Sequence, residues 1–372
     1  MRNRVRHLYV HLPFCAHRCG YCDFVTVVGR RGSHGAYVDA LLGELALERR
    51  LLADPLETVY LGGGTPTFTE PAALERLLVS LPPAAEVTIE ANPETMTPQL
   101  ARLVRGAGVH RVSMGAQSFG AHLLSVLERR ATAEVVRRAV HTSRDAGIDN
   151  ISLDLIYGIP GQSPADLDHD LEEALALEPE HLSCYELEAK PGTRFAHTFG
   201  DELARQSEAL EGYFEHVVDV LTASGYRWYE TANFCRQPEL AGGRDLRSRH
   251  NLAYWLGRDY VGLGIGAVST VGFSRWRNTP RLAAYCAALS SGARPPREHE
   301  LLDTGVKRRE RIMLGLRLDE SLSLAGLEEA VDRTALERLE RLGLAARETP
   351  RTLRLTRRGR FLGGGVTAEL LA

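Results

Sequence analysis

Residues 8–24 read LYVHLPFCAHRCGYCDF. An alternating apolar stretch, LYVHL at 8–12, predicts a β-strand, and it runs straight into Cys15, Cys19 and Cys22. The same event recurs along the first 190 residues. TVYLGG at 58–63 predicts a strand that ends in GGGT, and EVTIEANP at 86–93 one that ends near Glu90 and Asn92. RVSMGAQSF at 111–119 carries Gln117, ISLDLIYGIPG at 151–161 carries Asp154, and HLSCYELE at 181–188 carries Glu186 and Glu188. Amphipathic helices separate these strands. GAYVDALLGELALERRLL at 35–52 is one; another begins after Ser163 as N-cap with Pro164 in the first turn.

Six strand–helix units predict a parallel sheet with right-handed crossovers. Polar residues gathered at many strand ends favour an incomplete barrel over an open sheet, whose ligands collect at one switch point. The fold class expected is α/β, a partial (β/α)6 barrel. The last seventy residues read as short helices and a hairpin, a small winged-helix-like domain. The expected division is 1–235 for the core, 236–295 for a connecting region containing HNLAYW, and 296–372 for the C-terminal domain. SSGARPPREHE at 290–300 has the composition of a linker.

Composition narrows the function classes. Hydrophobic residues are 44% and charged residues 25%, the balance of a globular chain with a real core. The net charge of -3 gives no global attraction to nucleic acid or anionic lipid. In the candidate recognition helix, Glu337 and Glu340 alternate with Arg338 and Arg341, which argues against DNA reading. No stretch approaches a membrane span, and the basic N-terminus is a poor signal peptide. A cytoplasmic location follows as the expectation. There a tight cysteine cluster points to metal or redox chemistry rather than disulfides.

The C-x3-C-x2-C spacing fits two metal sites. One is structural zinc of Cys3His type, with His11 or His17 as fourth ligand. The other is an iron–sulfur cluster, in which three thiolates leave one iron open to a ligand. The run GGGT lacks the ending of a phosphate-binding loop and reads as backbone brought close to a ligand. GLGIGAVS at 262–269 lacks dinucleotide-binding spacing and reads as a late strand or turn closing over a cofactor.

PFCAHRCGYCDF, LGGGTPTF, TIEANP, SMGAQSF and DLIYGIPGQ occur in this order and at these separations. Together they resemble the radical S-adenosylmethionine (SAM) family, in the branch that holds oxygen-independent coproporphyrinogen III dehydrogenase and a heme chaperone. The resemblance selects the cluster over zinc. It implies a [4Fe–4S] cluster on Cys15, Cys19 and Cys22, with SAM on the open iron. It implies SAM contacts from Tyr9, Tyr21, Gly63, Gly64, Thr65, Glu90, Gln117, Arg129 and Asp154. Around Arg129 the sequence departs from the pattern, which expects a glycine at Glu128 and a histidine at Ala131. The dehydrogenase branch carries a further cysteine where this chain has Phe24, and the chaperone branch shares the CDF ending and HNLAYW at 250–255. The resemblance therefore implies heme binding and delivery to apo-hemoproteins of respiration, with contact to membrane partners and a monomer–dimer balance. His250 is the residue implied for heme iron, with Tyr254 and Trp255 against the macrocycle. The alternative it leaves is oxidative decarboxylation of porphyrinogen propionates.

Overall fold

A computed structural model describes residues 4–188 and 190–371, apart from the side chains at 204, 205, 207 and 208. Six parallel strands form its centre: β1 His7–Leu12, β2 Leu56–Gly63, β3 Ala84–Ala91, β4 Arg111–Gln117, β5 Ile151–Tyr157 and β6 His181–Glu186. They pair in chain order, as right-handed strand–helix units require. A hairpin, β7 Tyr226–Glu230 and β8 Asn233–Arg236, adds to β6 antiparallel. A ninth strand, β9 Val261–Leu263, returns to lie parallel beside β1 at the opposite edge.

The connecting helices are α1 His34–Glu48, α2 Pro71–Ser80, α3 Pro98–Gly106, α4 Ala133–Asp145, α5 Pro164–Ala176 and α6 Arg194–Ala223. The start of α5 is as the sequence predicts. Ser163 accepts from Asp166 N–H, Asp166 accepts from Ser163 N–H, and Pro164 follows the cap.

Alternation along the strands divides two chemistries. Leu8, Val10, Leu12, Val59, Leu61, Ile89, Val112, Met114, Leu153 and Leu155 are buried in one continuous core beneath the helices. Each such aliphatic side chain contributes about 1.5–3 kcal/mol. The intervening residues are polar: His7, Tyr9 and His11; Thr58 and Tyr60; Glu86, Thr88 and Glu90; Arg111, Ser113 and Gln117; Ser152 and Asp154. Closed parallel barrels fill their interior with branched aliphatics. Here it is filled with hydrogen-bonding groups, such as Ser113 Oγ on Asp154 and Ser152 Oγ with His181 Nδ1.

The C-terminal part has its own small core, built from Ile312, Leu316, Leu336, Leu339, Leu353, Val366 and Leu370 among others. Its hairpin pairs Ala345–Ala346 with Thr352–Leu355, as expected.

Two expectations for the connecting region fail. The segment read as a linker contains the strand Arg297–Leu301, paired antiparallel with Ser274–Asn278. Its Arg297 binds Glu44 on α1 at 2.9 Å. That carboxylate is fully buried and also accepts from Gly264 N–H, Asn278 Nδ2 and Tyr285 Oη. GLGIGAVS enters a late strand, as expected, with Gly262 and Leu263 in β9, but instead of closing over a cofactor it seals the β1 edge against α1. A side chain at Gly264 would meet Tyr37 Oη at 2.6 Å and the His11 carbonyl at 2.7 Å. No helix among the described residues is long and apolar enough to cross a membrane.

Candidate functional site

The cysteine loop leaves β1 and folds back over the strand ends. Phe14–Cys15 pairs with Val27–Val28, and Cys22 N–H bonds the Cys19 carbonyl. All three cysteines face one cavity of about 900 Å³ at the C-terminal ends of the strands. Tyr21, Gly63, Gly64, Thr65, Glu90, Gln117, Arg129 and Asp154 line the same cavity.

The glycine run is required by contact. A side chain at Gly64 would meet the Pro13 carbonyl oxygen at 2.5 Å and Cys15 Sγ at 2.9 Å. Gly63 has φ +119°, and a side chain there would meet the His11 ring at 2.7 Å. The backbone of β2 thus lies directly against the cysteine loop.

A hydrogen-bond circuit joins two of the thiols. Cys15 Sγ lies 3.5 Å from Thr65 Oγ1, which accepts from Asn92 Nδ2 at 3.0 Å. Arg129 donates to Asn92 Oδ1 at 2.9 Å and to the Gly115 carbonyl at 2.7 Å, and its Nη1 reaches Cys19 Sγ at 3.9 Å. Arg129 is held in place although its neighbourhood departs from the family pattern. Glu128 has φ +55°, the left-handed region, which is why a glycine is expected there. Its carboxylate pairs with Arg194 at the start of α6.

Glu90 accepts from Tyr60 Oη at 2.9 Å and from Gly63 N–H at 3.0 Å. Burial pushes its carboxyl up to about 7, against the pull of those two donors. Burial likewise pushes Asp154 up to about 6, opposed by Ser183, Arg111 and Ser113. Gln117 sits at a break in the β4–β5 register with φ +69°, which turns its amide over Gly115.

Two predicted residues lie outside the cavity wall. Tyr9 is stacked on Tyr60 at 6.2 Å and shares a hydrogen bond with His11. His250, 1% exposed, sits in α7 (Arg249–Trp255), which plugs the N-terminal ends of the strands. Both its ring nitrogens are engaged, Nδ1 with Thr58 Oγ1 at 2.8 Å and Nε2 with Tyr254 Oη at 3.0 Å. Its ring stacks on Tyr60 at 5.1 Å, and burial depresses its pKa to about 3. The residue of HNLAYW that borders the cavity is Asn251.

Sequence reasoning missed Arg111. It is 1% exposed and reaches the cavity floor, and its Nε and Nη1 have no partner among the described residues. Its place in the polar alternation R-S-G-Q was the available signal. It also missed that the C-terminal part walls the cavity through Met313, Leu316, Phe361 and Thr367.

The donor set fits a cluster. Burial raises the thiols of Cys15 and Cys22, so their thiolates need a cationic partner. Of the candidate fourth ligands of a zinc site, His11 is engaged at both ring nitrogens, by Tyr9 Oη and the Val25 carbonyl, while His17 Nε2 lies 2.8 Å from the Glu128 carbonyl and 3.7 Å from Cys19 Sγ. Among the described residues, no three His, Cys, Asp or Glu side chains are placed to hold one ion. A cubane carries a separate iron for each thiolate, so its donors stand apart around a shared wall.

Residues 9–174 match the model of the radical SAM superfamily, and residues 304–362 match the HemN C-terminal domain. The solved structure of coproporphyrinogen III oxidase (HemN) from Escherichia coli, a radical SAM enzyme, superposes on this chain with a TM-score of 0.82. That match covers 98% of this chain and 90% of the other at 24% identity, which establishes the shared fold. The fold is that of a radical SAM protein. The heme chaperone HemW of Mycobacterium tuberculosis is 36% identical over 376 residues, covering 98% of this chain and 94% of its own. HemW of Bacillus subtilis is 32% identical, covering 98% of both. The chain belongs to the HemW family of radical SAM proteins.

Proposed function

We propose that this chain is a heme chaperone that binds heme, delivers it to apo-hemoproteins, and carries a [4Fe–4S] cluster with SAM. The observation that carries this reading is the shared cavity. Cys15, Cys19 and Cys22 face it together with Gly63–Thr65, Glu90, Gln117, Arg129 and Asp154. Cys15, Cys19 and Cys22 would hold the cluster. When bound, the cluster supplies a reducing electron and one open iron for SAM. The Gly63–Thr65 backbone would take the methionine end of SAM, and Glu90 and Asp154 its donor groups. Arg129 and Asn92 hold the Cys19 and Cys15 sides of the loop in fixed relation.

The relatives' name supports the heme part, as does Phe24 in place of a further cysteine. In the proposed division the cofactor core runs to about residue 235, the connecting region spans 236–295, and the C-terminal domain follows. Delivery to respiratory apo-proteins at the membrane, and a dimer linked to cluster loading, belong to the same proposal. Ligation of heme iron by His250 requires one of its two bonds, Nδ1 to Thr58 or Nε2 to Tyr254, to open.

Anaerobic reconstitution with iron and sulfide, followed by titration with SAM and with heme, tests the proposal. The expected result is a cluster lost on substitution of any of the three cysteines, and heme binding by the reconstituted chain. A chain that retains zinc, forms no cluster and binds no heme would overturn it. Conversion of coproporphyrinogen with SAM and a reductant would replace it with the decarboxylase reading.

A further inference from the structure

The cavity has two unlike walls. The barrel side is thiol, carboxylate and amide. The opposite side is largely apolar: Phe214 of α6 with Met313, Leu316, Leu355, Phe361 and Leu371 from the C-terminal part. Met313 is 49% exposed, an apolar side chain held open to the space.

Set into this wall is Arg360. Its Nη1 donates to the Trp228 carbonyl at 2.9 Å, and its Cζ lies over the Trp228 ring, 3.5 Å from the centroid. Nε and Nη2 have no partner among the described residues. The nearby acids are taken. Asp319 is bidentate with Arg227, and Glu230 is bound by Arg317 at 2.6 Å. Burial lowers the guanidinium pKa to about 10, so it stays charged at neutral pH. A buried cation with two spare donors in one plane is the geometry that receives a carboxylate. An apolar wall around it suits a flat macrocycle whose edge carries that carboxylate.

We infer that the C-terminal module supplies the porphyrin wall of the heme site, and that Arg360 receives a heme propionate. This rests on the heme-binding reading above. It puts the macrocycle on the module's side of the cavity, facing the cysteine loop, and away from the His250 floor.

The test compares heme with heme dimethyl ester, which keeps the ring and lacks the carboxylates. The reconstituted full chain is titrated with each, followed by absorbance. Wild type is expected to prefer heme over the ester by roughly 10- to 100-fold, the scale of a charged hydrogen bond. Arg360→Gln is expected to lower heme affinity by that factor, leave ester affinity nearly unchanged, and so remove the preference. Arg360→Lys is expected to restore part of it. Because Arg360 packs on Trp228, thermal melting accompanies each variant. Met313→Glu supplies a second arm on an exposed position, expected to weaken heme and ester alike. Heme binding with an undiminished preference in a folded Arg360→Gln protein overturns the inference, as does unchanged affinity in Met313→Glu if Arg360→Gln does not fold. No heme binding by wild type overturns the heme reading itself.

Discussion

If SAM binds as proposed, Glu90 makes that binding pH-dependent, and the structure sets the direction and scale of the effect. Its carboxyl is held at about 7, because burial outweighs the Tyr60 and Gly63 donors. As an ionised acceptor it suits the ammonium or hydroxyl groups of a ligand; protonated, it competes with them. Near pH 6 about one-tenth of Glu90 is ionised, and near pH 8 about nine-tenths, so affinity should rise about tenfold across that interval. Asp154, held at about 6, adds about a further twofold. The sign follows from the ionised carboxylate being the acceptor, and the raised values place the window: binding strengthens as pH rises through about 6 and about 7. In Glu90→Gln the tenfold component disappears, and only the twofold residue from Asp154 remains. Equilibrium dialysis of labelled SAM against anaerobically reconstituted protein, from about pH 5.5 to 8.5, reads the dependence directly. A Glu90→Gln protein that keeps the tenfold slope, or a wild type with none, refutes the reasoning.

The remaining predictions concern other parts of the same architecture. Arg297→Met leaves the buried Glu44 carboxylate without its cation and should cost about 3–5 kcal/mol in urea unfolding; a loss below about 1 kcal/mol would mean the connecting segment is only loosely attached. His250→Ala unpairs Thr58 and Tyr254 and should cost about 2–4 kcal/mol, with heme titration as the second reading: an unchanged affinity removes His250 from iron ligation. His250 also shapes acid stability. Its folded pKa of about 3 lies below its ordinary value, so the stabilisation present above about pH 6.5 is lost as pH falls toward 3, and His250→Ala should flatten that limb of a melting-temperature profile. Gly64→Ala drives a methyl group into the Pro13 carbonyl and Cys15, costing about 1–3 kcal/mol of loop geometry; the reconstituted variant should lose iron to a chelator faster than wild type.

Much of the barrel was legible because a strand's period of two is written in adjacent letters. LYVHL and ISLDLIYG declare strands, and the Ser163 cap of α5 is a purely local contact. The polar half of the same alternation was equally visible in H-Y-H, T-Y-G and E-T-E, yet apolar periodicity alone reports which face packs and is silent on what fills the other. That is how Arg111 escaped notice. The linker reading failed for a different reason. Composition at 290–300 describes local preference, whereas Arg297 is fixed by Glu44, 253 positions away in sequence.

The HNLAYW element shows where such reading stops. His250 and Asn251 are neighbours, but on a helix one step turns the side chain by about 100°. That single step separates a histidine sealed between Thr58, Tyr60 and Tyr254 from an asparagine bordering the cavity. A seven-residue helix with apolar and polar residues on every side does not declare which face looks inward. The packing of α7 against the bottom of the barrel decides it, through Arg249 N–H on the buried Glu86. The consequence reaches function. If the histidine belongs to the floor, heme recognition has to be sought where a cation and an apolar surface meet the cavity together, and Arg360 with Phe361 and Met313 is such a place.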